Sequence, residues 1–382
     1  MPGTFAIFSA QYPPHMGGVE TFTQSLARAL VSAGDDVVVV TNDTNGVGVG
    51  SSVEEGVEVV RLPCMPLVDG RLPLSAGGAR RRELVSALGM RRFDGVLVNA
   101  RFYPHSLLGM RFAREHGLRP VVLDHGSAWL SFSVPVLDQI VRLYERSITN
   151  RGRRRYDPEY YGISQRSVEW LRTFGIDAKG VITNSINAKE YRAASSGRDF
   201  RDELGLGRDE LLVTFVGRLI PEKGVTTLVQ LAGSEALRSR GVTFVIAGDG
   251  PLADDVRAAC GEGLCWVGRL GRPDVSALLQ QADVHCLPTR SEGFSTALLE
   301  ASACGCPSVV TDVGGARELI PDEGYGTIVD SMDPSAVEPA LVRLADDREL
   351  LARQSAACRT RVEERFSWSV TAAAVERALI GA

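Results

Sequence analysis

An α/β fold of two Rossmann-like domains, each a doubly wound parallel sheet, is predicted by three features of this chain. Short β-branched runs such as residues 37–41 show no polar alternation, which suits strands buried on both faces. Segments with apolar residues at helical spacing follow these runs, so strand and helix alternate. The alternating series occurs twice in 382 residues, about twice the length of one ordinary domain.

The first series opens with the apolar run 4–10. Gly17 and Gly18 follow, and then Phe22, Leu26, Ala29, Leu30 and Ala33 recur at helical spacing until Gly34 stops the helix. Residues 37–41, 95–99 and 120–123 supply further buried strands. The second series has strands at 211–216, 242–247, 284–287 and 308–311, with a helix over 226–233. Between the series, residues 188–207 are polar and rich in Ser, Gly, Asp and Arg, which places the boundary there. The expected domains are 1–190 and 208–366. Open α/β sheets bind ligands at the carboxyl ends of their strands, so a central cleft that the two domains face is the expected site.

Composition narrows the function classes. With 44% hydrophobic and 23% charged residues the chain is too apolar for disorder. A net charge of -5 argues against a nucleic-acid partner, which usually meets a basic face. The opening residues lack the basic start and long apolar core of a secretion signal, and no stretch approaches the roughly 20 apolar residues of a membrane span. A cytoplasmic protein is expected. The 7 cysteines and 5 histidines show no paired metal-ligand spacing, so no metal site is expected.

The most informative segment is 291–301. It follows the 284–287 strand and leads into a helix, which would aim the backbone N–H groups of Gly293, Phe294 and Ser295 along the helix axis, an arrangement that attracts phosphate. Glu292 and Glu300 would repel phosphate but accept well from sugar hydroxyls. The plainer alternative makes Glu292 a helix cap and Glu300 a solvated residue. A second strand-to-helix loop holds Gly217, which permits a tight turn, and Arg218 and Lys223, which can both reach a diphosphate. Its alternative is a surface ion pair of Lys223 with Glu222 or another acid. A third loop, 12–20, has Gly17 and Gly18 before a helix, where a ligand could approach the backbone closely or the glycines could simply make a tight turn. His125 follows the 120–123 strand and could hydrogen-bond a sugar hydroxyl or share a proton, although a lone histidine is more often packed. Residues 248–253 fit a G-x-G-x-x-A dinucleotide pattern, but Pro251 removes a donor and no acid stands about 20 residues on. A turn lining a nucleotide site is the better reading.

Together these residues resemble the retaining glycosyltransferases of the GT-B fold, glycosyltransferase family four. Residues 292–300 are similar to that family's glutamate, seven residues, glutamate signature, and 217–224 to its Gly-Arg-x-x-x-x-Lys-Gly loop. The 17–20 loop, the 247–251 turn and the terminal Arg365-Phe366-Ser367-Trp368 also match, so the resemblance covers almost the whole chain. Asn184-Ser185-Ile186-Asn187 departs from the family's Asn-Gly-Val-Asp, and Asn99 stands where a histidine is often found.

The resemblance implies a nucleotide-sugar donor, more often UDP- than GDP-linked, and no cofactor or metal. Arg218 and Lys223 would bind the diphosphate, Glu300 the ribose, and Glu292 with the 293–295 backbone the transferred sugar. His125 would contact that sugar, a strand near 267–270, ending at Leu270, would read the base through its backbone, and the 367–382 helix would cross back to the first domain. Transfer would proceed with front-side attack, the departing diphosphate helping to deprotonate the acceptor hydroxyl of a glycan, lipid-linked or small-molecule acceptor. A sugar-nucleotide epimerase or hydrolase and a non-catalytic nucleotide-sugar binder are the alternatives. Arg80-Arg81-Arg82 with Arg91-Arg92, and the 151–155 arginine run, are either solvated faces or a weak membrane-surface patch. Oligomeric state is left open.

Overall fold

A computed structural model describes every residue except Met1, Met16, 68–71, 130–134 and Ala382. Met16 of the Gly17-Gly18 loop and the last residue of the expected terminal helix thus lie outside the described residues. The chain divides into two compact units, one formed by Met1–Asn184 with Trp368–Ala382 and the other by Ser185–Ser367.

Unit one is built on β1 (Thr4–Ser9), β2 (Asp36–Asn42), β3 (Gly50–Glu54), β4 (Val57–Leu62), the β5 (Cys64–Leu67) and β6 (Leu72–Ser75) ribbon, β7 (Gly95–Asn99), β8 (Val121–Asp124), β9 (Glu159–Gly162) and β10 (Gly180–Val181). The main sheet has the order β10-β9-β8-β7-β1-β2-β4-β3 and is parallel except where β3 pairs antiparallel with β4. The valine run of β2 is buried, as a strand covered on both faces requires. Beyond it, β3 lies on the sheet edge with serines exposed, so it carries no apolar signal. The Trp368–Ile380 helix packs on the Gly18–Ala33 helix, with Trp368 edge-on to Phe22 at 5.5 Å between ring centres. A Cβ at Gly95 would stand 2.6 Å from Leu379 Cβ, so the absence of a side chain there lets this helix close on β7.

Unit two is a six-stranded parallel sheet of β11 (Leu211–Val216), β12 (Val242–Ala247), β13 (Leu264–Gly268), β14 (Val284–Leu287), β15 (Ser308–Thr311) and β16 (Thr327–Val329). Its order is β13-β12-β11-β14-β15-β16. The winding reverses between β11 and β14, and such a reversal opens a crevice at the strands' carboxyl ends. Both loops singled out in the sequence, after β11 and after β14, flank this switch point.

The structure differs from the sequence expectation at three places. Residues 188–207 are not a spacer but carry the helices Ala188–Ala193 and Phe200–Glu203, which belong to unit two and bury Tyr191 and Phe200. Polar residues there serve as caps, the Asn187 and Asp199 side chains accepting from the backbone N–H groups of Glu190 and Asp202, so a linker-like composition conceals ordered turns. The unit boundary accordingly falls after Asn184. The strand expected near 267–270 ends at Gly268, whose φ of 71° breaks the extended chain, leaving Leu270 beyond it. Among the described residues, no helix is long and apolar enough to cross a membrane.

Candidate functional site

The loop after β11 carries Gly217, the exposed Arg218, and a short 3-10 turn, Pro221–Lys223, closed by Gly224 at a φ of 71°. A Cβ on Gly224 would stand 2.1 Å from the Pro288 carbonyl oxygen, so this glycine lets the loop lie directly on the one after β14. The Glu222 carbonyl fastens the two by accepting from the Arg290 N–H at 2.8 Å and the Thr289 hydroxyl at 2.9 Å. Across this seam Lys223 Nζ pairs with the Glu292 carboxylate, both largely shielded from solvent. The acid that meets Lys223 is therefore Glu292 rather than its neighbour Glu222, and the two sequence constellations form one site. Among the described residues the Arg218 guanidinium has no ion-pair partner.

The helix after β14 begins later than the sequence suggested. It spans Thr296–Ala303, and Ser295 is its N-cap, the hydroxyl accepting from the Leu298 N–H. Gly293 and Phe294 precede the helix instead of opening it. The functional consequence survives, because the backbone N–H groups of Gly293, Phe294, Ser295, Thr296 and Ala297 meet no acceptor among the described residues. Five consecutive donors beside a lysine make an anion cradle. The Phe294 side chain is buried, its ring 5.9 Å from that of Phe366, so only its backbone is on offer. A loop the sequence reading passed over supports the cradle: at Gly314 a Cβ would stand 2.7 Å from the Glu292 carbonyl oxygen, and at Gly315 2.3 Å from the Phe294 ring. The Gly-Gly pair just after a predicted strand was the available signal.

Glu292 does not cap the helix, since Ser295 does, and Glu300 is not simply solvated. It is half-buried, and burial pushes its carboxyl up to about 7, with Arg272 partly opposing. Arg272 also lies over the Tyr191 ring at 5.2 Å, and the buried Tyr191 hydroxyl has no partner among the described residues. Neither Tyr191 nor Arg272 was singled out from sequence, since one sits in the supposed linker and the other follows β13 without a motif. Because the folded-state pKa is raised, stability contributed by protonated Glu300 is present below about 4.5 and lost as pH rises through about 7. Glu300→Gln should therefore match the parent near pH 4.5 and exceed it above pH 7 by about 2–3 kcal/mol, measured as urea unfolding against pH. A constant difference across that window would mean that Glu300 is ionised throughout.

Beside the seam lies a cavity of about 720 Å³ lined by Gly217, Arg218, Gly248, Asp249, Leu270 and Val275 among others. The Gly248-Asp249-Gly250 turn braces it. A Cβ at Gly248 would fall 1.8 Å from the Gly217 carbonyl oxygen, and the Leu219 N–H donates to the Asp249 carbonyl at 2.9 Å. These glycines thus serve contact between loops, which explains a dinucleotide-like spacing without dinucleotide chemistry.

In unit one the expected free helix N-terminus at Gly17 and Gly18 is partly occupied by the protein itself. The carboxyl of buried Glu20 folds back so closely that a Cβ on Gly17 would stand 2.2 Å from it, while Gly18 has open space. Burial raises the Glu20 pKa, and its own backbone N–H opposes the shift. His125 follows β8, edge-on to Phe22 at 4.9 Å, with Nε2 3.2 Å from Asn99 Oδ1. An amide oxygen only accepts, so Nε2 carries the proton and Nδ1 is left as an acceptor. Burial lowers the ring pKa to about 3, so His125 is a neutral hydrogen-bonding group at physiological pH. Asn99 is itself set by donating to the Thr23 hydroxyl at 2.8 Å. Beneath them the fully buried Arg101 clamps Asp124 and Glu145.

Residues 17–185 match the family model described as a glycosyl transferase 4-like domain, and residues 210–347 match that of the glycosyl transferases group 1. The chain is 27% identical over 369 residues to the phosphatidyl-myo-inositol mannosyltransferase of Mycolicibacterium smegmatis, covering 94% of this chain and 89% of that enzyme. Among solved structures, sucrose-phosphate synthase from Thermosynechococcus elongatus superposes with a TM-score of 0.75 at 21% identity, over 98% of each chain. Anabaena HepE in complex with UDP-glucose superposes with a TM-score of 0.70 at 17% identity, again over 98% of each.

Proposed function

Starting from the fact that this chain belongs to the family-four glycosyltransferases of the GT-B fold, we propose that it is a retaining, metal-independent enzyme. It transfers a hexosyl or N-acetylhexosaminyl group from a UDP-sugar to an acceptor hydroxyl. The observation that carries this reading is the Lys223–Glu292 pair set beside the five N–H groups of 293–297, which meet no acceptor among the described residues. One group wants an anion and the other wants hydroxyls, which together are the two halves of a sugar diphosphate.

On this reading the diphosphate settles on the 293–297 amides, Lys223 and the exposed Arg218. Glu292 exchanges its lysine for hydroxyls of the transferred sugar, and Glu300 accepts from the ribose. The base enters the cavity beside Leu270; a UDP donor agrees with the bound UDP-glucose of HepE. His125, held neutral on Asn99, keeps Nδ1 as an acceptor for a hydroxyl. The bond from the anomeric carbon to the diphosphate oxygen breaks while the acceptor oxygen attacks on the same face, and the acceptor's proton passes to the departing diphosphate. Positive charge fixed in advance around the leaving oxygens lowers the barrier, so two side-chain cations and a row of amides do the electrostatic work.

The test is a calorimetric screen with UDP, GDP and their sugars, followed by product analysis with EDTA present. Tight UDP-sugar binding, with release of UDP and an α-linked product undiminished by the chelator, is expected. Release of free sugar or of an epimer in place of a glycoside would replace transfer by hydrolysis or isomerisation, and restoration of activity by magnesium or manganese would defeat the metal-free mechanism.

A further inference from the structure

The longest helix of unit one, Pro135–Tyr156, turns one face inward and leaves the other uncovered. Inward it buries Glu145 on Arg101, together with Ile148, Thr149 and Gly152. Outward, its first half exposes Val136 (73%), Leu137 (40%), Ile140 (57%) and Leu143 (65%), side chains of a size that a soluble surface rarely groups together. Along the same helix Arg142, Arg146, Arg151, Arg154 and Arg155 are exposed. The two acids of this helix are turned away, Asp138 being half-buried and Glu145 buried. On a chain of net charge -5, a 22-residue helix whose outer face holds arginines, exposed aliphatics and no exposed acid is a local inversion of the overall balance.

From this face we infer a docking surface for an anionic lipid bilayer. A surface helix of about 33 Å with aliphatic and basic side chains on one face lies in the plane of the headgroups, the aliphatics entering the acyl boundary and the arginines meeting phosphates. A second copy of the chain is a poorer occupant. Symmetric pairing would set the arginine stripe against itself or against the aliphatic patch, whereas an anionic bilayer offers negative charge and an apolar interior at once. The other arginine run seen in the sequence does not compete for the role. Arg80 pairs with Glu83 and Arg91 with Glu58, so two of its five arginines are taken up by acids, and of the exposed large hydrophobics only Met90 lies within 80–92.

This inference is independent of the donor chemistry, and the experiment keeps the two apart by measuring UDP-sugar binding on every variant. The full chain is sedimented at low salt with vesicles of phosphatidylcholine alone or mixed with phosphatidylglycerol. Binding to the mixed vesicles only, lost at high salt, is expected. Ile140→Glu with Leu143→Glu should lower the partition coefficient at least roughly tenfold. Arg151→Gln, Arg154→Gln and Arg155→Gln should lower it about fivefold each. Val53→Glu, an exposed position on the β3 edge, should leave it unchanged. The milder Ile140→Ser with Leu143→Ser decides the matter if the glutamate pair does not fold. Equal sedimentation with neutral vesicles, undiminished binding by the aliphatic variants, or a concentration-dependent dimer that those variants abolish in the absence of vesicle binding would overturn the proposal.

Discussion

Lys223→Ala should lower turnover by about 100- to 1,000-fold, the loss found when one preorganised charge is removed from the oxygen that gains charge in a transition state. Charge on the departing diphosphate grows as the glycosidic bond breaks, so the effect should fall on turnover more than on donor affinity. Arg218→Ala should act in the same direction. The ion pair adds a sharper expectation. Without donor, Glu292 neutralises Lys223, and a diphosphate must compete with that carboxylate for the ammonium. Glu292→Gln removes the competitor, so free UDP should bind as tightly as to the parent or more tightly. The intact donor should lose affinity in that variant, since only the donor carries the sugar whose hydroxyls Glu292 accepts. Calorimetry with UDP and UDP-sugar on both variants separates the roles. Weakened UDP binding by Glu292→Gln would mean that Glu292 orients Lys223 for phosphate and has no part in holding the sugar.

The features most legible from sequence are those set by neighbouring residues along the chain. Residues 211–216, 242–247, 284–287 and 308–311 are strands at the bounds their β-branched, unalternating composition implies, because a parallel strand covered on both faces has no polar positions. Where an element's signal comes from its partners, the sequence is silent. β3 is an exposed serine-containing edge, and the helix bearing Tyr191 hides in a stretch whose polar residues act as caps. The site follows the same division. Gly217, Arg218, Lys223 and Glu292 could be named from loops after strands, but the pairing of Lys223 with Glu292 spans 69 residues and rests on Gly224 meeting Pro288. Likewise the spacing of Gly248 and Gly250 suggested a ligand-binding turn, while their contacts reveal a brace between neighbouring loops. His125 could be placed after its strand, yet its neutral state comes from burial and its tautomer from Asn99, neither of which has a local signature.

Arg101→Met should destabilise unit one by about 3–5 kcal/mol near neutral pH, because it leaves buried charge without its partner. Arg101 donates to both oxygens of Asp124, at 2.9 and 2.7 Å, and to Glu145 at 2.9 Å, and all three side chains are no more than 1% exposed. Burial is the largest influence on Asp124 and pushes its pKa upward, with the Arg101 charge as the chief opposing force. Without that charge the Asp124 carboxyl should rise further. Groups raised in the folded state contribute stability that is present at acid pH and lost as pH rises, so the deficit of the variant should shrink on acidification. Tryptophan fluorescence during urea unfolding reports mainly on this unit, which holds Trp129, Trp170 and Trp368, with Trp170 stacked 5.9 Å from the guanidinium. The ion cluster also fixes the backbone that carries His125 and Asn99, since Asp124 immediately precedes His125 and Ala100, at a φ of 62°, joins Arg101 to Asn99. A deficit that does not change with pH would show that the loss comes from packing against Phe174, whose ring centre lies 4.0 Å from the guanidinium, rather than from unpaired carboxylates.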